Sequence, residues 1–525
     1  MKIPGLAVEF APLPAPVPVW FGTVNAQEWL AAAAAVRDEG GRLVAVWAGK
    51  AIDNEADNAG KSRAEAIFAA YVTLDGLFWL ALPLAPQDGI FVYPDLSLVF
   101  PAASRMQRAA ADLSNVHAQG ASDTRPWLNH GAWADHQHPL LQPIQNLPKP
   151  DPQPLVDYPF VRVEGDGVHE IAVGPVHAGI IEPGHFRFQC AGEEVLHLEI
   201  ALGYQHRGIE EVLENGPHRS TLVQMETIAG DASIAHGTAY ASVMEALADM
   251  EAPLQAQWLR GIALELERLA NHTGDIGALA GDVAFLPTQS ACGKIRGDFL
   301  NLTAMICGNR FGRTLVRPGG VRHGLDPERA AQLAERLSQA LAETAQAAAW
   351  FWDSSSVRSR FDNVGVVTLK QAAEIGLVGP AARACGLVRD VRYDHPAGWH
   401  RFTQAPVAVW PGGDVSARAR IRTLEIQRSG ELLLEQLANP PDFGLFAPIA
   451  PPAPDAIAVT LVESWRGEVC HVAVTGRRGH FRKYKITDPS FHNWSGLALS
   501  LRGTAISDFP ICNKSFNLSY CGHDL

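Results

Sequence analysis

A proline-rich run limits how this chain can fold more than any other feature. Residues Pro139 to Pro159 contain seven prolines in 21 residues. Proline fixes φ and lacks a backbone donor, so the run favours extended geometry and is unsuited to a helix or a sheet interior. It predicts a linker at 139–159 that joins a domain at 1–138 to a domain at 160–525. A chain of 525 residues is also expected to form two or more domains.

The hydrophobic pattern differs on the two sides of this run. Before it, an alanine-rich helix is predicted at Ala26 to Asp38, and strands at "RLVAVWAG" and "LFWLALPL". After it, the pattern is helical from Gly216 to Leu437, with a helix that opens at the N-cap Asp326. Alternating strand patterns return after Ile457. The predicted fold class is α+β, a small α+β N-terminal domain followed by a mainly helical domain with peripheral β-hairpins.

Composition and charge exclude several classes of protein. The net charge of -13 and the scattered Lys and Arg residues argue against nucleic acid as a partner. The densest basic cluster, Gly476 to Lys485, is expected to be a solvated or partner-facing loop. Seven dispersed cysteines without a CxxC pair predict a reducing compartment.

Membrane attachment is expected only through partner proteins. The most apolar run, "LFWLALPLAP", spans about ten residues and is broken by Pro83, whereas a bilayer-spanning helix needs about twenty. Prolines near the start interrupt any helical export signal. These patterns predict that any membrane association of the chain is through partner proteins.

The stretch from Met225 to Gly237 has the frame of a metal-binding helix start. Positions 229, 232 and 236 are spaced by three and four, which predicts that Ala229, Ala232 and His236 share one helix face. Alanine has no donor atom, so these residues alone predict a close helix contact with one buried histidine. A lone histidine of this kind is more often a satisfied core residue than a ligand.

Other histidines occur at glycine-rich turns and in the C-terminal tail. His177 and His185 lie in "GPVHAGIIEPGHFRFQ", and His206 and Arg207 follow in "LGYQHRGIE". This pattern suits either a ligand cleft or hairpins whose imidazoles bond backbone carbonyls, and the spacing leaves both open. In the tail, Cys512, Cys521 and His523 make a poor metal site, so a packed C-terminus is predicted.

These motifs, with "RPGGV", "GDVSARARIR" and "DPSFHNWSGLALSLRG", resemble the large subunit of energy-converting [NiFe] hydrogenases. The branch is the group 4, hydrogenase-4 and formate hydrogenlyase type, which is homologous to the 49 kDa subunit of respiratory complex I. The resemblance covers about residues 155–525. The first domain is similar to the complex I 30 kDa subunit through "YPDLSLVFPAASRMQRAAADLSNV" and "HQHPL". There, Gln107, Arg108 and Ala109 replace the family's Glu-Arg-Glu, and Arg105 replaces its tryptophan.

The resemblance implies where the nickel ligands of the family would lie. Four thiolates from two CxxC pairs hold the metals in those hydrogenases, and soft sulfur donors suit nickel redox chemistry. The matching positions here are Ala229, Ala232, Ser519 and Gly522. Because alanine and glycine have no donor and a serine hydroxyl is a poor nickel ligand, no metal is expected in this chain.

The complex I relatives use the vacated cavity for a quinone, held by a hairpin histidine and a tyrosine on the next helix. By the same resemblance, His185 lies two residues late, and the tyrosine position holds Thr238, with Tyr240 two residues further on. Glu226 and His236 keep the family's identities and are the candidate catalytic residues. His185 and His177 are candidates for a possible quinone or acceptor cavity. His206 and Arg207 are expected to face an iron-sulfur partner.

The resemblance implies a peripheral-arm subunit of a membrane-bound, hydrogenase-4-like or complex I-like oxidoreductase. It also implies a cytoplasmic chain that is attached peripherally to the inner face of the cytoplasmic membrane through partner subunits. The expected partners are a small iron-sulfur subunit (hydrogenase small subunit or complex I 20 kDa-like), a ferredoxin-like subunit and antiporter-like membrane subunits. Two alternatives remain, an NADH-quinone oxidoreductase-type acceptor-binding subunit and a purely structural scaffold. A cavity packed solid by Ala229, Ala232 and Ile234 favours the scaffold, whereas an open, histidine-lined channel favours the acceptor site.

Overall fold

The computed structural model describes most of the chain on both sides of the proline-rich run. The described residues are 8–13, 15–50, 65–87, 89–131, 133–134, 137–141, 158–176, 182–403, 406–441 and 444–525. His177 and most of the predicted linker lie outside them. Residues before the linker are called the N-terminal region below, and residues from 158 onward the C-terminal region.

The N-terminal region combines helices and strands, as its patterns predict. Its elements are β1 (Ala11–Leu13), β2 (Val19–Thr23), α1 (Ala26–Asp38), β3 (Arg42–Lys50), β4 (Glu65–Thr73), β5 (Gly76–Leu84), β6 (Pro86–Gln87), β7 (Ile90–Pro94), α2 (Ala103–Ser114) and β8 (Val116–Gln119). The larger sheet has the order β1-β2-β5-β4-β3, with β2 and β5 parallel, and the smaller has the order β6-β7-β8. Helix α1 begins with a capping box, in which the side chain of Asn25 accepts from the backbone of Glu28 and that of Glu28 from Asn25.

The C-terminal region opens with a three-stranded sheet and continues as helices. Its first elements are β9 (Val168–Val173), β10 (His185–Ala191), β11 (Glu194–Ala201), α3 (Ile209–Leu213), α4 (Thr221–Met225), α5 (Ser233–Leu247), α6 (Leu254–Asp282), α7 (Leu286–Cys307), β12 (Val316–Arg317), β13 (Gly320–Val321) and α8 (Pro327–Asp353). The long helices α6, α7 and α8 pack against one another. Asp326 caps α8 by accepting from the backbone N–H of Arg329, as predicted.

The remaining elements complete the helical bundle and add a terminal sheet. They are α9 (Ser355–Phe361), α10 (Leu369–Glu374), α11 (Gly379–Arg383), α12 (Val391–Asp394), α13 (Val415–Ala438), β14 (Ile457–Ser464), β15 (Gly467–Thr475), β16 (Phe481–Thr487), α14 (Pro489–Ser500), α15 (Phe509–Phe516) and α16 (Tyr520–Asp524). Helix α13 packs on α6 and α8. Strands β14, β15 and β16 form an antiparallel sheet, as their alternating patterns predict.

One prediction of local structure is wrong, and another holds for only part of its segment. Ala229 and Ala232 do not share a helix face with His236, because α5 begins only at Ser233 and both alanines lie in the turns before it. The basic cluster is a loop only in its first half, and its second half is a strand, as the alternating pattern after Ile457 predicts. This strand is β16, in which the side chain of Lys483 is buried against the N-terminal region.

Side chains buried between the two regions join them. One face of the larger N-terminal sheet packs on β14 and β15 through a shared apolar cluster that includes Trp79, Val459 and Val472. At the edge of this contact, Arg42 on β3 forms a two-pronged ion pair with Glu468 on β15. The position of β14 and β15 in the C-terminal region is therefore fixed in part by contacts with the N-terminal region.

Candidate functional site

The two segments that carry the four implied ligand positions lie side by side. Nη2 of Arg207 donates to the carbonyls of Ile228 and Cys521, each at 3.1 Å. Ile228 precedes Ala229, and Cys521 precedes Gly522. A single guanidinium thus holds together the early and late halves of the implied site, and the frame of the resemblance is present in the fold.

The side chains at these four positions cannot hold a nickel-iron centre. Ala229 and Ala232 are buried in the main apolar core. Ser519 instead caps α16, where its Oγ accepts from the N–H of Gly522 at 2.9 Å. A Cβ added to Gly522 would lie 2.7 Å from Cγ of Asp488 and 2.9 Å from its Oδ2. The donor set is absent, and the Asp488 carboxylate already occupies the space that a side chain at position 522 would need.

A chain of hydrogen bonds runs inward from this carboxylate. Nε2 of His236 lies 3.0 Å from Oδ2 of Asp488, and Nδ1 of His236 lies 3.0 Å from Nε2 of His471. Nδ1 of His471 in turn lies 2.9 Å from the hydroxyl of Tyr484. With both imidazoles neutral, every donor points the same way: Tyr484 donates to His471, His471 to His236, and His236 to Asp488. We call these four residues the relay.

The electrostatics of the relay fit this arrangement. Burial lowers the pKa of His471 well below its ordinary value, so the ring of His471 is neutral. Burial raises the pKa of Tyr484, which keeps its proton. Burial would also raise the pKa of Asp488, but the hydrogen bond from His236, with the charge of Arg466, outweighs it and lowers this pKa. The relay therefore has a protonated phenol at one end and an ionised carboxylate at the other, and its hydrogen bonds fix the orientation of the His236 ring toward Asp488.

Glu226 belongs to a neighbouring but separate set of contacts. Its carboxylate accepts from the N–H of Thr314 at 2.6 Å, and its carbonyl accepts from the hydroxyl of Ser233. Burial raises the pKa of Glu226 above its ordinary value, although the bond from Thr314 acts in the opposite direction. The structure brings Glu226 to the turn before α5, near Gly237, but the side chains of Glu226 and His236 bond different partners.

The hairpin and loop residues predicted to bind ligands or partners have contacts within this chain. His185 starts β10, where its Nδ1 donates to the carbonyl of Gly174 and its Nε2 accepts from Arg187. His206 donates to the carbonyl of Asp524 at 2.8 Å. These bonds match the alternative in which the imidazoles bond carbonyls. The predicted roles of His185 toward an acceptor, and of His206 and Arg207 toward an iron-sulfur partner, remain predictions.

Thr238 and Tyr240, the two positions compared with the family's quinone-binding tyrosine, both lie in the described part of the chain. Tyr240 is buried with Tyr484 in an apolar cluster. Thr238 lines a cavity between α6, α12 and β14. In contrast, Tyr520 approaches the start of the β10 hairpin so closely that a Cβ on Gly184 would lie 2.5 Å from its ring. A tyrosine therefore lies next to the residue that precedes the hairpin histidine, and it comes from the C-terminal helix α16.

Sequence reasoning missed three of the four relay residues. A signal was present for His471, because it occupies an inward position in the strand pattern "EVCHVAVT", where its neighbours are apolar. Asp488 opens α14 as an N-cap, a role readable from "DPS", but its approach to Gly522 depends on the tertiary fold. Tyr484 has no local signal that separates it from a core residue.

Comparison with known proteins matches both regions of the chain. Residues 22–146 match the model of the respiratory-chain NADH dehydrogenase 30 Kd subunit, and residues 282–448 match that of its 49 Kd subunit. Hydrogenase-4 component G of Escherichia coli is 27% identical over 449 residues, which cover 84% of this chain and 77% of that protein. Formate hydrogenlyase subunit 5 of the same organism is 27% identical over 453 residues, 84% of this chain and 78% of that protein. The carbon monoxide-induced hydrogenase of Rhodospirillum rubrum is 30% identical over 353 residues, 66% of this chain and 97% of that protein.

Fold, site frame and matches together define the class as a large subunit of a multisubunit oxidoreductase, with a 30 kDa-like region fused to a 49 kDa-like one. The chain belongs to the family that unites the large subunits of energy-converting [NiFe] hydrogenases with the 49 kDa subunit of complex I. Among the residues that the structure describes, none of the helices has the length and apolarity needed to cross a bilayer.

Proposed function

We propose that this chain is a peripheral-arm subunit of a membrane-bound, hydrogenase-4-like or complex I-like oxidoreductase, and that it has no nickel-iron centre of its own. In this role it couples electron transfer from an iron-sulfur partner to an ion-translocating membrane arm. The carboxylate of Asp488 in the side-chain space of Gly522, bonded to His236, is the observation that carries the proposal. The two segments that carry the implied ligand positions stay side by side, while the buried pair of Asp488 and His236 takes the place of a thiolate.

The relay gives this subunit a specific way to contribute to coupling. Reduction of a nearby acceptor raises its proton affinity, and a buried chain of aligned donors can supply a proton without opening the site to water. Asp488, bonded to His236, would take up and release the proton at the former ligand position, and His471 and Tyr484 would hold the His236 ring in the orientation that donates to Asp488. No electron passes through these residues, so the redox centre belongs to a partner subunit.

Subunit identification and metal analysis on one sample test the assembly role. A tag on this chain is used to purify its complex from native membranes, and nickel and iron are measured in the same preparation. We expect iron, an iron-sulfur subunit and membrane subunits to co-purify, with nickel far below one atom per chain. Stoichiometric nickel, or a chain that purifies without partners, would overturn the proposal.

The two alternatives are each supported by one observation. Ala229, Ala232 and Ile234 are packed in the main core, which favours a scaffold at the old metal position. Tyr520 beside the β10 hairpin favours an acceptor site rebuilt from different residues, including a quinone site.

A conservative substitution in the relay separates the scaffold from the coupling role. Tyr484→Phe keeps the ring and removes the hydroxyl that bonds His471. We expect donor-driven ion translocation by the intact complex to fall several-fold while subunit composition is unchanged. Tyr240→Phe is the matched control, because Tyr240 packs near Tyr484 and is not part of the relay. Equal rates for both variants would support the scaffold.

A further inference from the structure

A cluster of charged side chains is buried between α6, α13, β14 and the short helices α11 and α12. Its four carboxylates are at most 5% exposed and belong to Glu265, Asp390, Glu425 and Glu463. Its three guanidiniums are at most 8% exposed and belong to Arg268, Arg383 and Arg392. With every group ionised, the cluster would carry one net negative charge away from bulk water. An uncompensated buried charge is costly, and the usual outcome is that one group binds a proton.

The charged groups around the cluster do not supply the missing cation within the part of the chain that the structure describes. On β15, Glu468 lies opposite Glu463 in the sheet and is paired with Arg42 of β3. The other neighbouring acids and guanidiniums are also equal in number, Asp394 with Arg389 and Asp275 with Arg422. The excess of one carboxylate therefore remains when the surroundings are included.

The two histidines beside the cluster are poor sites for a positive charge. Nε2 of His272 donates to Oε2 of Glu425 at 2.8 Å, while its Nδ1 has no hydrogen-bond partner among the described residues. Charging this ring would add a buried N–H without an acceptor. Burial lowers the pKa of His272, and it lowers that of His400 to about 4. Because both rings are neutral at pH 7, the proton goes to a carboxylate.

Glu463 accepts the fewest hydrogen bonds of the four carboxylates. Its Oε1 accepts from Nη1 of Arg383 at 2.8 Å, and its Oε2 accepts from the backbone N–H of Val391 at 3.0 Å. The other three carboxylates each accept at least three hydrogen bonds. Burial and the charge of Asp390 raise the pKa of Glu463 to about 7, although Arg383 acts in the opposite direction. Glu463 is thus the carboxyl group that is most easily protonated.

A cavity between α6, α12 and β14 gives water a route toward Glu463. Glu463 lines this cavity of about 60 Å³ together with Thr238 and His400. A buried water needs about 10 to 15 Å³, so the cavity has room for several. Ser242 lines both this cavity and a larger groove of about 360 Å³ at the end of α5. Protons can therefore pass between the groove and the cluster by way of water in the cavity.

We propose that this charge cluster is a binding site for one exchangeable proton, and that Glu463 carries the proton. The proton comes from solvent through the cavity. When it is bound, the cluster is neutral, and when it leaves, one negative charge remains buried between α6, α13 and β14. The proposal concerns this chain alone and does not rest on the coupling role proposed above.

Infrared titration of the full chain tests the proposal, because a carboxylic acid and a carboxylate absorb at separate frequencies. We expect a carboxylic-acid band that grows as pH falls through about 7 in the wild type and is lost in Glu463→Gln. Glu251→Gln is the control, since Glu251 is an exposed acid paired with Arg401 and its removal should leave the band unchanged. Glu267, whose pKa burial raises to about 8, contributes a band that all three proteins share. Equal titrations of the wild type and Glu463→Gln would overturn the proposal.

A second variant tests the charge count while Glu463 stays in place. Glu265→Gln leaves the cluster with equal numbers of carboxylates and guanidiniums. We expect Glu463 to ionise in this variant, so its carboxylic-acid band should be lost at pH 7. A folded Glu265→Gln protein that keeps the band would contradict the proposal, also in the case that Glu463→Gln does not fold.

Deuterium exchange of the same band tests the route through the cavity. Ser242→Leu places bulk where the groove and the cavity adjoin and should slow the exchange several-fold, while the band at equilibrium is unchanged. Ser242→Ala is the matched control, because it removes the hydroxyl without adding bulk. Exchange at the wild-type rate in folded Ser242→Leu would show that the proton does not enter through this cavity.

Discussion

Asp488 links three features that lie far apart in the sequence. Its carboxylate fills the side-chain space of Gly522 and bonds His236, and Asp488 also lines the gap between the N-terminal region and the last strand and helices of the chain. By resemblance, Ala229 and Gly522 stand at nickel-ligand positions of the family, and a residue without a donor can be read at a single position. The contact of Asp488 with position 522 could not be predicted, since it joins residues 34 positions apart and no local pattern encodes it.

A side chain at position 522 is expected to destabilise the protein. Gly522→Ala places a Cβ 2.7 Å from Cγ of Asp488, within a buried helix, so the carboxylate must shift or the helix must move. Overpacking of this kind costs about 1 to 3 kcal/mol in the free energy of unfolding, measured by urea titration. Gly293→Ala in α7 is the control, because a Cβ there has nothing within 4 Å and should be neutral or stabilising. A Gly522→Ala protein as stable as wild type would show that Asp488 does not fill this space.

Glu226 makes a testable contribution to the pH dependence of stability. Because burial raises its pKa in the folded protein, the folded carboxyl holds its proton after the unfolded one has lost it at about the ordinary value of 4.5. The unfolded state then binds fewer protons, so the free energy of unfolding falls as pH rises from 4.5 through the raised pKa. Glu226→Gln is expected to lack this fall. Urea titrations of both proteins across this range check it, and parallel curves would contradict it.

At the scale of elements, periodic patterns predicted most of the fold. Helix α1, helix α8 and strands β14 to β16 lie where capping residues and alternation place them, because these signals are local. The prediction was wrong before α5, where a spacing of three and four was taken as helical although the segment forms turns. Short runs of alanine and glycine carry no side-chain donor, cap residue or apolar period that distinguishes a helix from a turn.

The cap of α8 gives a prediction at this scale. The side chain of Asp326 accepts from the N–H of Arg329 at 2.8 Å and lies at the positive end of the helix dipole. Asp326→Ala should therefore lower the free energy of unfolding by about 1 kcal/mol in urea titration. Asp353→Ala is the matched control, because this exposed acid lies at the opposite end of the same helix and its removal should be neutral or slightly stabilising. A larger loss at Asp353 than at Asp326 would refute the capping role.

At the scale of the whole molecule, charged residues of the N-terminal region reach into the C-terminal one. Arg105, which replaces the family's tryptophan by resemblance, donates to the carbonyl of Ile375 at 3.0 Å. Gln107 instead bonds Asp95 within its own region at 2.7 Å. The sequence showed these residues as departures from the family pattern but gave no partner for them, since the contact of Arg105 depends on how the two regions dock and that of Gln107 on the fold of its own region.

The docking of the two regions depends on the ion pair between Arg42 and Glu468. Nη1 of Arg42 donates to Oε1 of Glu468 at 2.9 Å, and only 2% of the Glu468 side chain is exposed. Arg42→Met leaves this carboxylate buried without its cation, which should cost about 3 to 5 kcal/mol in the free energy of unfolding. Glu468→Met in the same chain removes the unpaired charge and should recover most of that loss. Arg37→Met, at an exposed pair with Asp38, should change stability by less than about 0.5 kcal/mol.

Hydrogen exchange distinguishes docking from a local effect. If this pair holds the two regions together, Arg42→Met should raise exchange in β3 and also in β15, because the apolar contact between the sheets loosens on both sides. In the double variant, protection should return to both strands together. Faster exchange confined to β3 would mean that the pair stabilises one strand, and that the apolar contact between the sheets alone holds the N-terminal region against β14 and β15.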